Sequence, residues 1–357
     1  MYFKKIIAAI LLPVVILFFG GCLFSERNVT KIGVAMPTKQ RQRWNQDGAN
    51  IERGLAEHGY KPDLRYADNN VELQISQIEE MINEGCKVII VCAIDGRLLA
   101  NVLEEAKLAG ITVISYDRLI MNTDSIDYYA TFDNLAVGTI QGEYIEEKFG
   151  LKEGKGPFNM EITAGSLDDN NTIFFFEGAM EVLRPYIKSG QLVVQSGQTS
   201  LKQCEILHWS EVTAEERMTK ILHTYYSDKN LDIALCANDS TALGVLVALE
   251  KDGYNGVKKM PLVTGQDCDK KNLKYIVGGE QTMSIFKDTR VLAAQVVKMV
   301  DSIIAGKEPE TNDMGNYNNG VKVVSSFLVR PLFADKDNYR QLLIDSGYYT
   351  EEDFSEN

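Results

Sequence analysis

The chain has 357 residues, of which 45% are hydrophobic and 24% charged; this length predicts two globular domains, and this composition excludes a disordered chain. Acidic residues outnumber basic ones by 50 to 37, which gives a formal net charge of −13. Nucleic acid and anionic lipid surfaces are therefore poor partners, because an acidic protein surface repels both.

The N-terminal segment predicts an export signal. Two lysines precede the apolar run Ile6–Phe19, which is shorter than the ~20 residues needed to cross a bilayer but typical of a signal peptide. Gly20-Gly21-Cys22 follows directly, as in the lipobox of bacterial lipoproteins. We expect removal of residues 1–21, two acyl chains on Cys22 that anchor an extracytoplasmic protein to the cell membrane, and a tether over residues 22–30. An ordinary export signal with an incidental cysteine is the alternative.

From Lys31 onward, short apolar runs alternate with segments of helical period. The apolar runs predict buried strands at Ile32–Met36, Val88–Ala93, Thr112–Tyr116, Phe158–Thr163, Leu192–Gln195, Ile233–Ala237 and Leu262–Gly265. The helical segments are Ile51–His58, Leu73–Asn83, Leu98–Leu108, Phe174–Ile187, Met218–Tyr226, Ala242–Lys251 and Val291–Ile304. This alternation predicts an α/β fold of two doubly wound parallel-sheet lobes, each sheet covered by helices on both faces.

No long Pro/Gly linker separates the two lobes, so the chain is expected to cross between them through short extended segments. The predicted hinge crossings are Thr131–Asn134, Thr282–Lys287 and Val321–Ser325. The N-terminal lobe would then comprise residues 31–131 plus 286–320, and the C-terminal lobe residues 132–285 plus 321–357.

Five cysteines remain after Cys22, and their spacing does not indicate a metal or redox site. The chain has no Cys-x-x-Cys, and two of the cysteines lie inside apolar strand-like runs. Metal or redox chemistry requires clustered ligands at characteristic spacings. We expect buried thiols that pack as small apolar residues, with no metal and no cofactor.

Polar and aromatic side chains follow the predicted strands. In open α/β sheets the ligand binds beyond the carboxyl ends of the strands, so these side chains are candidates for a common site. Charged, amide and hydroxyl-pairing groups around two flat aromatic rings suit a monosaccharide, which has apolar faces and a hydroxylated edge. Both tryptophans of the chain are among the candidates. The full set is Arg43, Trp44, Asp117, Arg118, Asp168–Asn171, His208, Trp209, Asn238, Asp239, Asp267 and Lys287.

Each of these residues also has a purely structural interpretation. Asp117, Asn170 and Asp239 are possible helix N-caps, either tryptophan could belong to a core, and the arginines could form surface ion pairs. Their coincidence at strand ends favours one binding site over several separate structural roles.

Together these residues resemble a family, the type I periplasmic monosaccharide-binding proteins of sugar ABC importers, in the branch of xylose-binding and multiple-sugar-binding receptors. The resemblance extends from about Lys31 to Tyr349. It rests on Lys31–Met36 with Arg43-Trp44, Ser115–Leu119, Tyr129–Asn134, Asp168–Asn171, Gly265–Asp267 and Ile285–Arg290. The resemblance implies two lobes joined by three hinge strands that close on one aldopyranose, and a monomer that delivers it to an ABC permease.

The resemblance also implies a role for each site residue. Eight residues would hydrogen-bond the sugar: Arg43, Asp117, Arg118, Asp169, Asn171, Asn238, Asp267 and Lys287. Trp44 and Trp209 would pack against its ring. Asn238-Asp239 resembles the xylose-binding members and Gly154–Phe158 the multiple-sugar branch, so the preferred sugar stays open. Presentation of the closed form to a chemotaxis receptor or sensor kinase is the alternative to transport.

Two other classes fit the sequence poorly. A glycosidase needs carboxylates on both sides of the scissile bond, whereas Asp168 and Asp169 are adjacent on one loop, and the chain lacks His-Glu-x-x-His and Gly-x-Ser-x-Gly. A transcription regulator of the same fold would need a basic helix-turn-helix before Lys31, where an apolar leader stands instead. We therefore expect a binding protein rather than an enzyme.

Overall fold

A computed structural model describes residues 29–254 and 256–355. The predicted signal peptide, residues 1–21, and Cys22 lie outside these described residues. Within them, no helix combines the length and apolar character that crossing a membrane requires. The strands are β1 (Lys31–Met36), β2 (Lys61–Tyr66), β3 (Val88–Val91), β4 (Thr112–Tyr116), β5 (Tyr128–Phe132), β6 (Phe158–Thr163), β7 (Leu192–Val193), β8 (Ile233–Cys236), β9 (Leu262–Val263), β10 (Met283–Phe286), β11 (Ser325–Val329) and β12 (Leu332–Asp335).

Helices fill the connections between these strands. They are α1 (Gln42–Glu57), α2 (Val71–Asn83), α3 (Ala100–Leu108), α4 (Asn134–Phe149), α5 (Asn171–Ser189), α6 (Leu201–Cys204), α7 (Glu211–Tyr225), α8 (Asp239–Lys251), α9 (Lys270–Gly278), α10 (Thr289–Ile304) and α11 (Glu352–Ser355). Two 3-10 turns, Leu151–Glu153 and Leu207–Trp209, and a π-helical turn, Arg340–Asp345, complete the described elements.

The first lobe is built on a six-stranded parallel sheet in the order β11-β5-β4-β3-β1-β2. β3 is buried along its whole length, as expected for a parallel strand covered by helices on both faces. β2 was not predicted because its sequence, KPDLRY, contains charges and a proline. It lies at the sheet edge, where a proline costs no ladder hydrogen bond.

The second lobe contains a four-stranded parallel sheet in the order β7-β6-β8-β9 and an antiparallel pair, β10-β12. A parallel bridge between Gln266 and Ile285 brings β10 alongside the end of β9. Helices α4 and α5 pack together on this lobe, as do α7 and α8. The predicted fold class, α/β with two doubly wound parallel-sheet lobes, is confirmed.

One predicted lobe boundary is wrong. The sequence-based prediction places residues 321–357 in the second lobe, but β11 pairs in parallel with β5 and belongs to the first sheet. Phe327 and Leu328 of β11 pack against the apolar clusters of the first lobe. The last crossing therefore lies at Arg330-Pro331, between β11 and β12, and not at Val321–Ser325.

Helix α1 begins nine residues before its predicted start, at Gln42 rather than Ile51. The first turns carry Arg43, Trp44 and Asp47, all buried. Helices are predicted from the regular spacing of apolar residues on their buried face. Buried polar side chains interrupt this spacing and hide the first turns of the helix. Two of the predicted site residues therefore lie on a helix N-terminus rather than on a loop.

Candidate functional site

All ten predicted site residues line one cavity, of about 170 Å³, between the two lobes. The first lobe contributes Arg43 and Trp44 from the start of α1, and Asp117 and Arg118 from the segment after β4. The second lobe contributes Asp169, Asn171, Trp209, Asn238 and Asp267, and Lys287 follows β10 at a crossing between the lobes. The carboxyl ends of the parallel strands therefore meet at this cavity, as the fold requires.

Arg43 is the centre of the charge network. Its guanidinium lies 3.3 Å from Asp47 Oδ2 and 3.1 Å from Asp267 Oδ1, and it also pairs with Asp117. Burial alone would lower the pKa of Arg43, but these carboxylates raise it well above its ordinary value. Tyr116 donates its hydroxyl to Asp47 at 2.5 Å. Arg43 is therefore a permanently charged donor held from several sides.

Lys287 and Asp267 form a second ion pair at the cavity, with 2.8 Å between Nζ and Oδ1. Lys287 is only 3% exposed. Burial would raise the pKa of Asp267, but Lys287 and Arg43 outweigh burial and lower it. The Asp267 carboxylate is thus charged at neutral pH and has two fixed cationic neighbours.

Arg118 connects the two lobes. Its Nε lies 3.2 Å from Asp169 Oδ2 of the second lobe, while its Nη1 donates to the backbone carbonyls of Ala93 (3.1 Å) and Ile94 (3.0 Å) of the first. Its guanidinium also lies 5.4 Å from the Trp44 ring centroid. The carbonyls fix the plane of the guanidinium and leave its edge toward the cavity.

The two asparagines have structural contacts within the site. Asn171 donates from Nδ2 to the Asp117 carbonyl at 2.8 Å, and its Oδ1 accepts from the Tyr129 hydroxyl at 3.0 Å. Asn238 is the N-cap of α8, and its Oδ1 accepts from the Thr241 backbone N–H at 3.0 Å. Asn171 therefore holds Asp117 in place across the lobes, and Asn238 caps a helix at the cavity wall.

Left-handed backbone conformations concentrate at the site. Asp117 has φ of +59°, His208 +55°, Trp209 +56° and Asp267 +96°. These backbone angles are energetically unfavourable for residues other than glycine. In folded proteins, residues with such strained angles are often found at functional sites. Asp117 directly follows β4, and Trp209 ends the 3-10 turn Leu207–Trp209. Asp117, Trp209 and Asp267 all line the cavity.

The aromatic walls are Trp44, Trp209 and Phe175. Both tryptophans are buried, at 5% and 6% exposure. The Trp209 and Phe175 rings meet edge to face at 6.3 Å. Among the described cavity-lining residues, the buried Trp209 indole nitrogen, Arg118 Nε and Gln266 Oε1 have no hydrogen-bond partner. Two donors and one acceptor among these residues are thus left for a polar ligand.

Several lining residues were not predicted: Gln40, Arg41, Gln42, Phe175, Glu211, Ser240, Gln266, Asp269 and Lys271. Phe175 lies one turn after Asn171 on α5, so helical spacing could have identified it. Arg41 reaches across the cleft, donating to the His208 carbonyl at 2.8 Å. Nothing in its local sequence distinguishes Arg41 from a surface arginine.

Two acidic candidates have other roles. Asp168 lies in an adjoining cavity at the mouth of the cleft, 3.2 Å from His208 Nδ1. Asp239 is buried and accepts hydrogen bonds from Gln281 (2.7 Å) and Ser284 (2.8 Å). Asp239 thus makes hydrogen bonds within the second lobe, and its interpretation as a helix N-cap is wrong, because Asn238 caps α8. Within residues 29–254 and 256–355, no group of three or more His, Cys, Asp or Glu could hold a metal ion.

Comparison with known proteins gives consistent matches over most of the chain. Residues 32–308 match a family model described as a periplasmic binding protein domain. The multiple sugar-binding periplasmic receptor of Rhizobium radiobacter is 49% identical over 319 residues, covering 89% of this chain and 90% of that protein. The D-xylose-binding periplasmic protein of Escherichia coli is 33% identical over 323 residues, covering 90% and 91%.

Solved structures of related proteins match the fold of this chain as well. An ABC transporter solute-binding protein from Clostridium phytofermentans with bound β-D-glucose superposes with a TM-score of 0.88 at 55% identity, covering 91% of this chain and 100% of that one. A carbohydrate transporter solute-binding protein from Chloroflexus aurantiacus in complex with D-glucose gives 0.81 at 33% identity, covering 91% and 98%.

Proposed function

The chain belongs to the periplasmic binding protein family, and on that premise we propose that it captures an aldopyranose of the xylose, glucose or galactose class between its lobes. The observation that carries the proposal is that the ten predicted site residues, fixed charged groups and both tryptophans among them, line one cavity between the lobes. Solved relatives at 55% and 33% identity hold glucose, and a relative at 33% identity is a D-xylose-binding protein.

The charged groups are suited to bind sugar hydroxyls because their ion pairs with one another hold them in fixed positions. Asp267 and Asp117 accept hydrogen bonds from sugar hydroxyls, while Arg43, Arg118 and Lys287 donate to the hydroxyl oxygens. Charge-assisted hydrogen bonds of this kind are stronger than neutral ones. Trp44 and Trp209 pack on the apolar faces of the ring, which aromatic side chains cover well.

Binding is coupled to closure of the lobes. A ligand that contacts both lobes binds the closed arrangement better than the open one, and this difference alone shifts the equilibrium. Arg118 and Asp169 lie on opposite lobes, so a sugar beside them contacts both. The closed form then docks on an ABC permease and delivers the sugar.

We further propose that the protein is an extracytoplasmic monomer anchored to the cell membrane through lipid on Cys22. The sequence Gly20-Gly21-Cys22 after an apolar run supports the anchor. Presentation of the closed form to a chemotaxis receptor or sensor kinase is the second candidate function. It is favoured by the 49% identical relative, whose name is that of a receptor.

Calorimetric titration of residues 25–357 with xylose, glucose, galactose, arabinose and ribose tests the proposal. We expect one-to-one binding, micromolar or tighter, of at least one aldopyranose. No heat with any of the five sugars, from a folded protein, would contradict the monosaccharide assignment.

Two substitutions test the location of the site. Asp267→Ala and Arg118→Ala should each weaken binding by about 100-fold, because each leaves a buried opposite charge without its partner. Asp267→Asn is a milder form should Asp267→Ala fold poorly. Arg184→Ala and Asp124→Ala, which break exposed ion pairs elsewhere, are matched controls. Near-native affinity in Asp267→Asn and Arg118→Ala would place the site elsewhere.

A further inference from the structure

The C-terminal strap, residues 346–354, packs on the second lobe and reaches the first. Tyr349 is 3% exposed and belongs to an apolar cluster with Cys268, Leu273 and Phe286 of the second lobe. The same segment also contacts the starts of α1 and α10 of the first lobe.

Tyr349 joins the two chain segments that contribute most to the cavity. Its hydroxyl donates to the Cys268 carbonyl at 2.9 Å and accepts from Gln42 Nε2 at 2.8 Å. Cys268 directly follows Asp267, and Gln42 directly precedes Arg43. One phenol therefore connects the backbone beside Asp267 of the second lobe with the helix turn that carries Arg43 of the first.

Tyr348 makes a parallel connection. Its hydroxyl donates to Gln46 Oε1 at 3.1 Å and lies 3.3 Å from Thr289 Oγ1. Its ring meets the Phe286 ring edge to face at 4.8 Å. Gln46 lies one turn after Gln42 on the same face of α1, and Thr289 begins α10 directly after a crossing.

We infer that the strap is a latch between the lobes, and that Tyr349 is a positioning residue for the ligand site. Its two hydrogen bonds exist together only when α1 and the Cys268 backbone are in register. In that register Arg43 Nη1 lies 3.1 Å from Asp267 Oδ1. Contacts made only in one arrangement of the lobes stabilise that arrangement. The part of the inference that concerns sugar retention rests on the function proposed above.

Hydrogen exchange of the exported full chain with saturating sugar, which closes the lobes, tests the latch, and the same measurement without sugar should show a smaller effect. In Tyr349→Phe, amides in the first turns of α1 and at residues 268–270 should exchange about tenfold faster, the effect of two lost hydrogen bonds. Tyr254→Phe is the matched control, since the buried Tyr254 hydroxyl accepts from the Leu231 N–H at 2.7 Å within the second lobe. Unchanged exchange in Tyr349→Phe, or equal acceleration in Tyr254→Phe, would overturn the inference.

Stopped-flow kinetics with the sugar identified by titration then separates positioning from general stability. Tyr349→Phe should raise the dissociation rate constant about tenfold and leave the association rate constant unchanged. Tyr254→Phe should change neither rate constant. An unchanged dissociation rate in Tyr349→Phe would overturn the role in retention. If the wild-type protein binds none of the sugars, the proposed function fails, and hydrogen exchange without sugar alone decides on the latch.

Discussion

Asp269 carries an unfavourable charge at the cavity wall. Burial and the neighbouring Asp267 carboxylate raise its pKa to about 7, against the opposing attraction of Arg41. Its backbone N–H donates to Asp239 Oδ2 at 2.8 Å, so a second carboxylate lies close by. A carboxyl group whose pKa is higher in the folded than in the unfolded chain stabilises the fold at low pH, and this contribution is lost as the pH rises.

We therefore predict a pH-dependent effect of Asp269→Asn on the sugar-free protein. Between about pH 4 and pH 7 the wild type loses the stability that its protonated Asp269 provides, whereas asparagine stays neutral. The free energy of unfolding of the variant, relative to wild type, should rise with pH by up to ~1.4 kcal/mol per unit. Urea unfolding at pH 4, 5.5 and 7 measures this difference.

Asp68→Asn, at an exposed position with a left-handed backbone that asparagine also tolerates, is the control for this experiment. Its difference from wild type measures the pH dependence that removal of an exposed carboxylate brings by itself. A pH-independent difference for Asp269→Asn would show that the charge at this position is compensated in the folded state.

At the scale of elements, helices α4 and α5 support the second-lobe half of the site. They cross at glycines, since a Cβ on Gly138 would lie 2.0 Å from the Phe175 carbonyl oxygen, and a Cβ on Gly178 would lie 2.2 Å from the Leu135 carbonyl oxygen. Such distances are impossible without separating the backbones. Because α5 carries Asn171 and Phe175 to the cavity, the close crossing fixes the position of both.

Gly138→Ala should therefore destabilise the protein. A methyl group forced into a packed crossing costs about 1–3 kcal/mol, and here it meets backbone atoms that cannot rotate away. The free energy of unfolding in urea should fall by that amount, and sugar affinity should fall with it because α5 is displaced. Gly315→Ala, whose Cβ would meet no atom within 4 Å, should leave both quantities unchanged. Wild-type stability in Gly138→Ala would contradict the crossing.

The same elements mark what the sequence could predict. Buried parallel strands such as β3 and β8 are continuous apolar runs, so their positions follow from composition alone. Helix α4 was not predicted, because its glycines and buried polar side chains obscure the apolar period. The pairing of β11 with β5 was missed for a different reason. Strand pairing depends on which sheet edge is free in three dimensions, and a local pattern does not contain that information.

The candidate site was more predictable than the elements around it. Strand ends in an α/β fold converge, so polar residues after strands could be grouped without knowing the topology. The hydrogen-bond partners of these residues could not be predicted, because they depend on the relative position of the lobes. Examples are the bond from Asn171 to the Asp117 carbonyl and the contact of Arg41 across the cleft. The roles of the ten residues in sugar binding remain predictions.

At the scale of the whole molecule, ion pairs and hydrogen bonds cross the cleft. Arg43 Nη1 lies 3.1 Å from Asp267 Oδ1, and Arg118 Nε lies 3.2 Å from Asp169 Oδ2. These charges are dehydrated where the lobes meet, and their attraction offsets that cost only in part. Separation of the lobes would rehydrate these charged groups. The closed arrangement therefore needs further contacts to be more populated than the open one.

We therefore predict that sugar closes the molecule in solution. A compact chain of this length has a radius of gyration of roughly 20 Å, and small-angle X-ray scattering should approach that value with saturating sugar and exceed it without. Asp267→Ala should keep the larger radius at the same sugar concentration, because it lacks a contact that the ligand uses. Arg184→Ala, which changes only an exposed pair on α5, should contract as the wild type does. Equal radii with and without sugar, in a protein that binds sugar by calorimetry, would mean that the lobes are already closed and that binding energy is not used to move them.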